Sequence, residues 1–256
     1  MIKLLKIGLQ QSMSMAKKSP ANFWLSALIN LTYYIAQGMF WLVLNQHDSF
    51  SGFMNQRYIL FFFVTIALTD NLFLLIFGQS GMELERRVKT YKLDVHLLLP
   101  VNLPFYYVVT TISMHHAILT AVSLLAFFFI HWLTHSSLWL ITVHLLLIVQ
   151  GTIVLAAITW IYRCSTFWSN ALVNVRNSNP CFKVLIRPLE SFSGVVRLIF
   201  LFIIPCLFIT GVPAFLVAKS FLWPWFLAQS MVTIFLVWLA NWIFILGTQR
   251  YGRVVT

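Results

Sequence analysis

Charged residues are scarce in this sequence. Only 9% of its 256 residues are charged, and six of them are acidic. A soluble domain usually carries about a quarter charged residues. Hydrophobic residues make up 60% of the chain, and the mean hydropathy is +0.87. Because water solvates such a composition poorly, the sequence excludes a water-soluble globule and indicates that lipid is the solvent.

Motifs that carry catalysis are also missing. The sequence has no G-x-x-x-x-G-K-[ST] phosphate loop, no G-x-S-x-G elbow and no H-E-x-x-H zinc motif. Gly78-Gln-Ser-Gly81 lacks the required lysine, and the three cysteines show no Cys-x-x-Cys spacing. We therefore expect no catalytic residue, no metal site and no cofactor in this chain, and predict that it is not an enzyme.

Long apolar runs take the place of those motifs. In lipid every backbone polar group must bond internally, which leaves helices or closed barrels. Barrel strands alternate apolar and polar residues, whereas the runs here are continuous, and no charge falls between Asp94 and Arg163. The sequence predicts an all-α, polytopic, single membrane domain over residues 1–256. Its six predicted spans are 22–44, 58–79, 105–130, 137–162, 196–212 and 223–248.

The basic residues predict the orientation of these spans. Fifteen of the seventeen Lys and Arg residues fall before span one, between spans two and three, around the loop between spans four and five, or after span six, with Arg197 at the start of span five counted in that loop. Only Arg57 and Lys219 lie in the other loops. Since short cytosolic loops collect Lys and Arg, both ends of the chain are predicted in the cytosol. The net charge of +11 is therefore explained by the orientation of the spans in the membrane, and no nucleic-acid partner is expected.

Two segments outside the spans have distinct patterns. Residues 1–18 place Ile2, Leu5 and Leu9 on one stripe, which predicts an interface helix; a disordered basic tail is the alternative. Residues 79–95 hold acids before bases, which suits a helix dipole. This loop is predicted either to dock a soluble partner or to be an ordinary solvated loop. Its candidate residues are Glu83, Glu85, Arg86, Arg87, Lys89, Lys92 and Asp94.

Polar residues and helix breakers inside the spans are further candidates. Asp70 and Asn71 are predicted to bond to His115 or His116 across a helix interface, since buried polar groups in a membrane need partners. This contact is interpreted as a packing clasp, with a gating or proton-linked role as the alternative. Pro205, Gly211 and Pro213 are predicted to interrupt span five before an outer re-entrant hairpin. His131 and His135 are predicted to lie at headgroup level.

Several segments resemble one family. Leu93-Asp94-Val-His-Leu-Leu-Leu-Pro100 resembles the Gly-x-Leu-Asp-x-x-Leu-x-x-Pro signature of type-2 ABC transporter (ABC-2 family) permeases, although the glycine is not kept. Arg187-Pro-Leu-Glu-Ser-Phe resembles the loop before their fifth span, and Val212-Pro213-Ala214 resembles the run within it. The order of these segments, together with the span count, extends the resemblance over nearly the whole chain.

The resemblance implies an exporter permease in the bacterial inner membrane. Such a subunit forms a dimer with itself or a sister permease, and cytosolic ATP-binding subunits carry the ATP and Mg. Residues 79–95 would be the coupling helix, and the outer hairpin would close the exit. The implied substrate is lipid-like, drug-like or polymeric. A proton-coupled carrier and an intramembrane enzyme are the alternatives; the first needs more acids within spans, and the second needs clustered catalytic residues.

Overall fold

The computed structural model describes residues 20–46, 56–113, 115–168, 184–218 and 222–255. The predicted interface helix 1–18 lies outside these residues. Helices form nearly all of the described structure, and no strand occurs in it, which confirms the all-α prediction. Four helices are long and apolar enough to cross a membrane: Arg57–Ile76, His116–Leu133, Leu138–Phe167 and Trp223–Gly252. The described apolar part of the first helix, Ala27–Val43, is shorter.

Ten α-helices are described. They are α1 (Pro20–Gln46), α2 (Gln56–Ile76), α3 (Ser80–Lys89), α4 (Asp94–Leu97), α5 (Leu103–Thr110), α6 (His115–Leu133), α7 (Leu138–Cys164), α8 (Gly194–Leu198), α9 (Gly211–Ala218) and α10 (Trp223–Val255). Helix α2 is the centre of the bundle, packed against α1, α6, α7 and α9. Large side chains of α2 such as Tyr58 and Phe61 are completely buried, because α2 is surrounded by other helices.

The third predicted span is divided. Residues 105–130 form the end of α5 and most of α6, with a break at 111–113. The hydroxyls of Thr110 and Thr111 both bond to carbonyls of the preceding turn, which competes with continued helix. Helix α2 supplies a hydrogen-bond acceptor to the break, since Ser113 N donates to Leu75 O at 2.9 Å. His115 and His116 consequently begin α6 instead of lying at the middle of a span.

The fifth predicted span, 196–212, is not one continuous helix. Helix α8 continues as a π-helical turn, Ile199–Ile203, and stops before Pro205, as the proline predicts. A 3₁₀ turn, Cys206–Phe208, leads into α9. Gly211 and Pro213 lie in the first turn of α9 instead of ending a helix. Proline is tolerated there because the first turn needs no amide donor.

The segment before α8 lies at an unexpected end of the bundle. Trp41, near the end of α1, donates its Nε1–H to Ile186 O at 3.2 Å, and Leu189 N donates to the Tyr58 hydroxyl at 3.0 Å. Both α1 and α2 meet this segment at their ends opposite α3. Residues 186–189 were predicted on the same side as α3, so that expectation is corrected. Span five therefore does not begin at the α3 end.

Candidate docking site at the α3 end of the bundle

Helix α3 is amphipathic and lies across the end of the bundle. Leu84 and Val88 are buried on one side, while Met82 and Arg86 are exposed on the other. The buried side packs against α5 and α7. Acid in the first turn and bases in the last turn oppose the helix dipole in the favourable sense. This short charged helix forms where the sequence predicted a docking or coupling helix.

Glu83 is held by two arginines of its own helix. Arg86 donates to it through two nitrogens at 2.7 and 2.9 Å, and Arg87 donates at 2.8 Å. Partial burial raises the pKa of the Glu83 carboxyl, but the hydrogen bonds and charges of the two arginines outweigh burial and leave the pKa below its ordinary value. The carboxylate therefore keeps both partners until the pH falls through this lowered pKa.

Glu85 faces into the bundle and joins α3 to α7. Its carboxylate bonds to Lys89 at 2.5 Å and forms an ion pair with Arg163, near the end of α7. The Glu85 side chain is only 9% exposed, and that of Arg163 is 15% exposed. Gly81 lies directly against the Arg163 stem, where a Cβ atom would be 2.8 Å from Cγ. Glu85 and Lys89 therefore act inside the interface between helices, not on the exposed face.

The segment after α3 presents apolar residues. Tyr91, in a left-handed conformation with φ 53°, turns the chain toward α4. Leu93 is completely buried as the anchor of α4, and Asp94 begins that helix. Tyr91, Val95 and Leu98 are exposed, as is Lys92. We call the exposed residues of α3 and of the segment around α4 the candidate docking face. They are Met82, Arg86, Tyr91, Val95 and Leu98.

His96 of α4 lies beneath this face. Its ring stacks on Tyr107 of α5 with centroids 5.6 Å apart. Burial, followed by the charge of Arg87, lowers the pKa of His96 below its ordinary value. The imidazole is therefore neutral at physiological pH, and the aromatic stack fixes α4 on α5.

The predicted intramembrane polar residues meet neighbouring helices. Asp70 Oδ2 accepts from the Tyr34 hydroxyl of α1 at 2.7 Å. Asn71 Nδ2 donates to Ser123 Oγ of α6 at 2.9 Å. His116 lies seven residues before Ser123, ~10 Å along α6. The His115 side chain is outside the described residues, and a bond from Asp70 or Asn71 to His115 or His116 stays a prediction.

A buried histidine pair was missed by the sequence reasoning. His131 Nε2 lies 2.9 Å from His144 Nδ1, and His144 Nε2 lies 2.8 Å from Thr65 Oγ1. The Thr65 hydroxyl donates to Phe61 O at 2.6 Å, so it must accept from His144. His144 Nδ1 then accepts from His131. His131 is 1% exposed, so its side chain packs inside the bundle, whereas His135 is exposed; their predicted position at headgroup level stays a prediction.

Thr65→Val is expected to destabilise the protein by about 1–3 kcal/mol, because His144 Nε2–H would remain buried without an acceptor. Thr69→Val is the matched control one turn along α2. Thr69 is also completely buried, and its Oγ1 has no hydrogen-bond partner, so its loss is expected to be neutral or stabilising. Thermal unfolding in one detergent measures both variants. Equal destabilisation by the two variants would show that the hydrogen-bonded series His131–His144–Thr65, the histidine chain, contributes nothing specific to stability.

The fold and these polar contacts define a multi-pass helical membrane protein whose short charged helix lies at one end of the bundle. Comparison with family models matches residues 29–253 to the ABC-2 family transporter proteins. The chain belongs to that family and is an ABC-2 type permease. Comparisons with curated proteins and with solved structures find no match.

Proposed function

We propose that this chain is the permease subunit of an ABC exporter, driven by ATP that a separate cytosolic subunit hydrolyses. The observation that carries the proposal is helix α3: its outer side is exposed and basic, while its inner side is joined to a membrane-spanning helix through Glu85 and Arg163. A partner that moves α3 thereby moves α7. On this proposal α3 is the coupling helix, in keeping with the family assignment.

The α3 end of the bundle is proposed to face the cytosol of a bacterial cell. Arg86, Arg87, Lys89 and Arg163 all lie at this end, as the positive-inside rule requires. Helices α7 and α10 run parallel, since Trp139 meets Trp223 at one end and Phe167 meets Gly247 at the other. On this proposal the chain crosses the membrane six times and both of its ends lie inside.

Transport by a dimer, symmetric or with a sister permease, completes the proposal. The segment 184–218 supports a role as the outer closure, because α9 is buried among α2 and α7 at the end away from α3. The proposed substrate remains lipid-like, drug-like or polymeric. A proton-coupled carrier is less well supported, since Asp70 is the sole acidic residue in the candidate spans of the described chain.

Arg86→Glu is expected to weaken retention of the ATP-binding subunit about tenfold or more, because reversal of an exposed charge places repulsion in the contact. Arg187→Glu is the matched control: Arg187 is also exposed but lies at the opposite end of the bundle. The measurement is the amount of a Walker-motif ATPase that co-purifies with the tagged chain, together with its ATP hydrolysis.

Two results would contradict the proposal. Undiminished retention in Arg86→Glu, when unfolding temperatures of both variants match the parent, would place docking elsewhere. Nucleotide hydrolysis by the purified chain alone would remove the need for a partner subunit. Arg86→Glu is expected to change the stability of the protein little, since the exposed ion pair that it breaks contributes about 0–1 kcal/mol.

A further inference from the structure

A cavity of about 350 Å³ lies between α2, α5, α7 and α10, beside the first turn of α3. Ligand pockets of roughly 300–1,000 Å³ are typical in proteins. Its walls are mostly aromatic rings and small side chains, including Phe73, Phe105 and Ala157. Such a lining selects an apolar guest with a narrow cross-section.

The cavity opens toward the lipid. Phe105 and Val237, on its rim, are nearly half exposed, and both belong to helix faces directed away from the bundle core. Trp238 and Trp242, neighbours of this rim on α10, are exposed as well. Since the surroundings of such apolar faces are the bilayer, a ligand reaches the cavity sideways, from within the membrane.

Four polar side chains lie on this lining, Ser80, Asn102, Thr159 and Asn241. Asn241 lines the cavity, is exposed, and bonds to no side chain of the described residues. It lies nine residues before Arg250, ~13 Å along α10 and therefore within the hydrocarbon. An amide in hydrocarbon without a partner is costly. Its two N–H donors and its carbonyl need a polar group that the lipid phase itself supplies.

We propose that the cavity binds one acyl chain of a membrane amphiphile, with the ester or amide carbonyl of that chain accepting a hydrogen bond from Asn241. The chain fills the space between Phe73 and Ala157, and the carbonyl remains at the rim. The occupant lies against Ser80 and Gly81 at the start of α3. This inference concerns binding and holds whether or not the bound lipid is the transported substrate.

The test is photolabelling of the purified full chain in dodecyl maltoside micelles, which carry no ester or amide carbonyl, with palmitate that bears a diazirine on its chain. We expect labelled residues on α7 and α10 around the cavity. Ala156→Leu and Ala157→Phe fill the cavity and are each expected to reduce this label at least fivefold. Val149→Phe, on the exposed side of α7, is the matched control and is expected to leave it unchanged.

Competition identifies the carbonyl contact. Methyl palmitate is expected to displace the probe about threefold to tenfold better than hexadecane, the gain from one hydrogen bond. In Asn241→Leu that difference is expected to vanish while labelling by the chain persists. The proposal is overturned if the filled variants label like the parent, if the label lies only on exposed helix faces, or if Asn241→Leu keeps the preference for the ester. Asn241 is exposed, so this variant folds independently of core packing.

Discussion

Replacing Glu85 with alanine is expected to lower the free energy of unfolding by about 3–5 kcal/mol, the usual cost of leaving a buried charge unpaired. Glu85 neutralises both Lys89 and Arg163, whose side chains are 20% and 15% exposed. Removal of the carboxylate leaves two cations facing one another in a poorly solvated interface between α3 and α7. Thermal and denaturant unfolding of the purified protein in detergent measures the loss.

Glu83→Ala is the control for that result. Glu83 lies two residues away on the same helix, but its partner Arg86 is 63% exposed. Exposed pairs contribute about 0–1 kcal/mol, so this variant is expected to change stability little. Replacing Glu85 and Arg163 together by methionine is expected to recover part of the loss, because the more buried cation is then removed and only Lys89, which is 20% exposed, is left without its partner. Similar losses in Glu83→Ala and Glu85→Ala would contradict the assigned roles.

The same variant tests the proposed coupling. If α3 transmits the motion of an ATPase through Glu85 and Arg163, Glu85→Ala retains the partner yet loses substrate-stimulated ATP hydrolysis. Arg86→Glu, by contrast, is expected to lose the partner itself, because the reversed charge lies in the contact with the ATPase. The two variants thus separate the outer side of α3, which meets the partner, from the inner side, which meets the bundle.

The position and character of α3 could be predicted from the sequence. Glu83 precedes Arg87 by four residues, and this local spacing produces an ion pair in any helix. The partner of Glu85 could not be predicted in this way. Arg163 is 78 positions away, and only the packing of α3 against α7 brings the two side chains together. The sequence therefore identified the helix without identifying which of its charges are buried.

The histidine chain shows the same limit in the membrane core. His131 and His135 are four residues apart, so sequence reasoning grouped them at one helix end. The structure instead pairs His131 with His144, and the two lie on different helices. His144 lies in an apolar run, directly followed by three leucines, and no residue near it in sequence marks it as paired. The sequence did hold one signal. His144 is a polar residue with no local partner in a long apolar run, and such residues usually bond across helices.

Charge counting failed for the segment before α8. Arg187 was assigned to the cytosolic side because that side collects cations. The positive-inside rule is statistical over whole loops, and it does not record where a loop re-enters the bundle. Here Leu185 O accepts from the Thr210 hydroxyl, and Ile186 O accepts from Trp41. These bonds satisfy non-helical backbone inside the protein, and they depend on tertiary contacts that no local pattern encodes.

Gly151→Ala is expected to destabilise the protein by about 3 kcal/mol or more, at or above the upper end of the usual cost of overpacking. Gly151 lies in the middle of α7, where a Cβ atom would come 2.2 Å from the backbone oxygen of Ile209. That oxygen belongs to the turn between the 3₁₀ helix and α9. Because a backbone atom cannot rotate away, the whole segment that carries α9 must shift from its position against α2.

Two other glycines give a graded control for this result. Gly252→Ala on α10 meets no atom within 4 Å, so it is expected to stabilise its helix by about 0.5–1 kcal/mol. At Gly247 the new methyl would meet the Phe167 ring at 2.2 Å, and a side chain yields more readily than backbone. We therefore expect the order of stability Gly252→Ala, then Gly247→Ala, then Gly151→Ala. If Gly151→Ala unfolds no earlier than Gly252→Ala, α9 is not held against α7 by this close approach, and the proposed closure loses its main packing support.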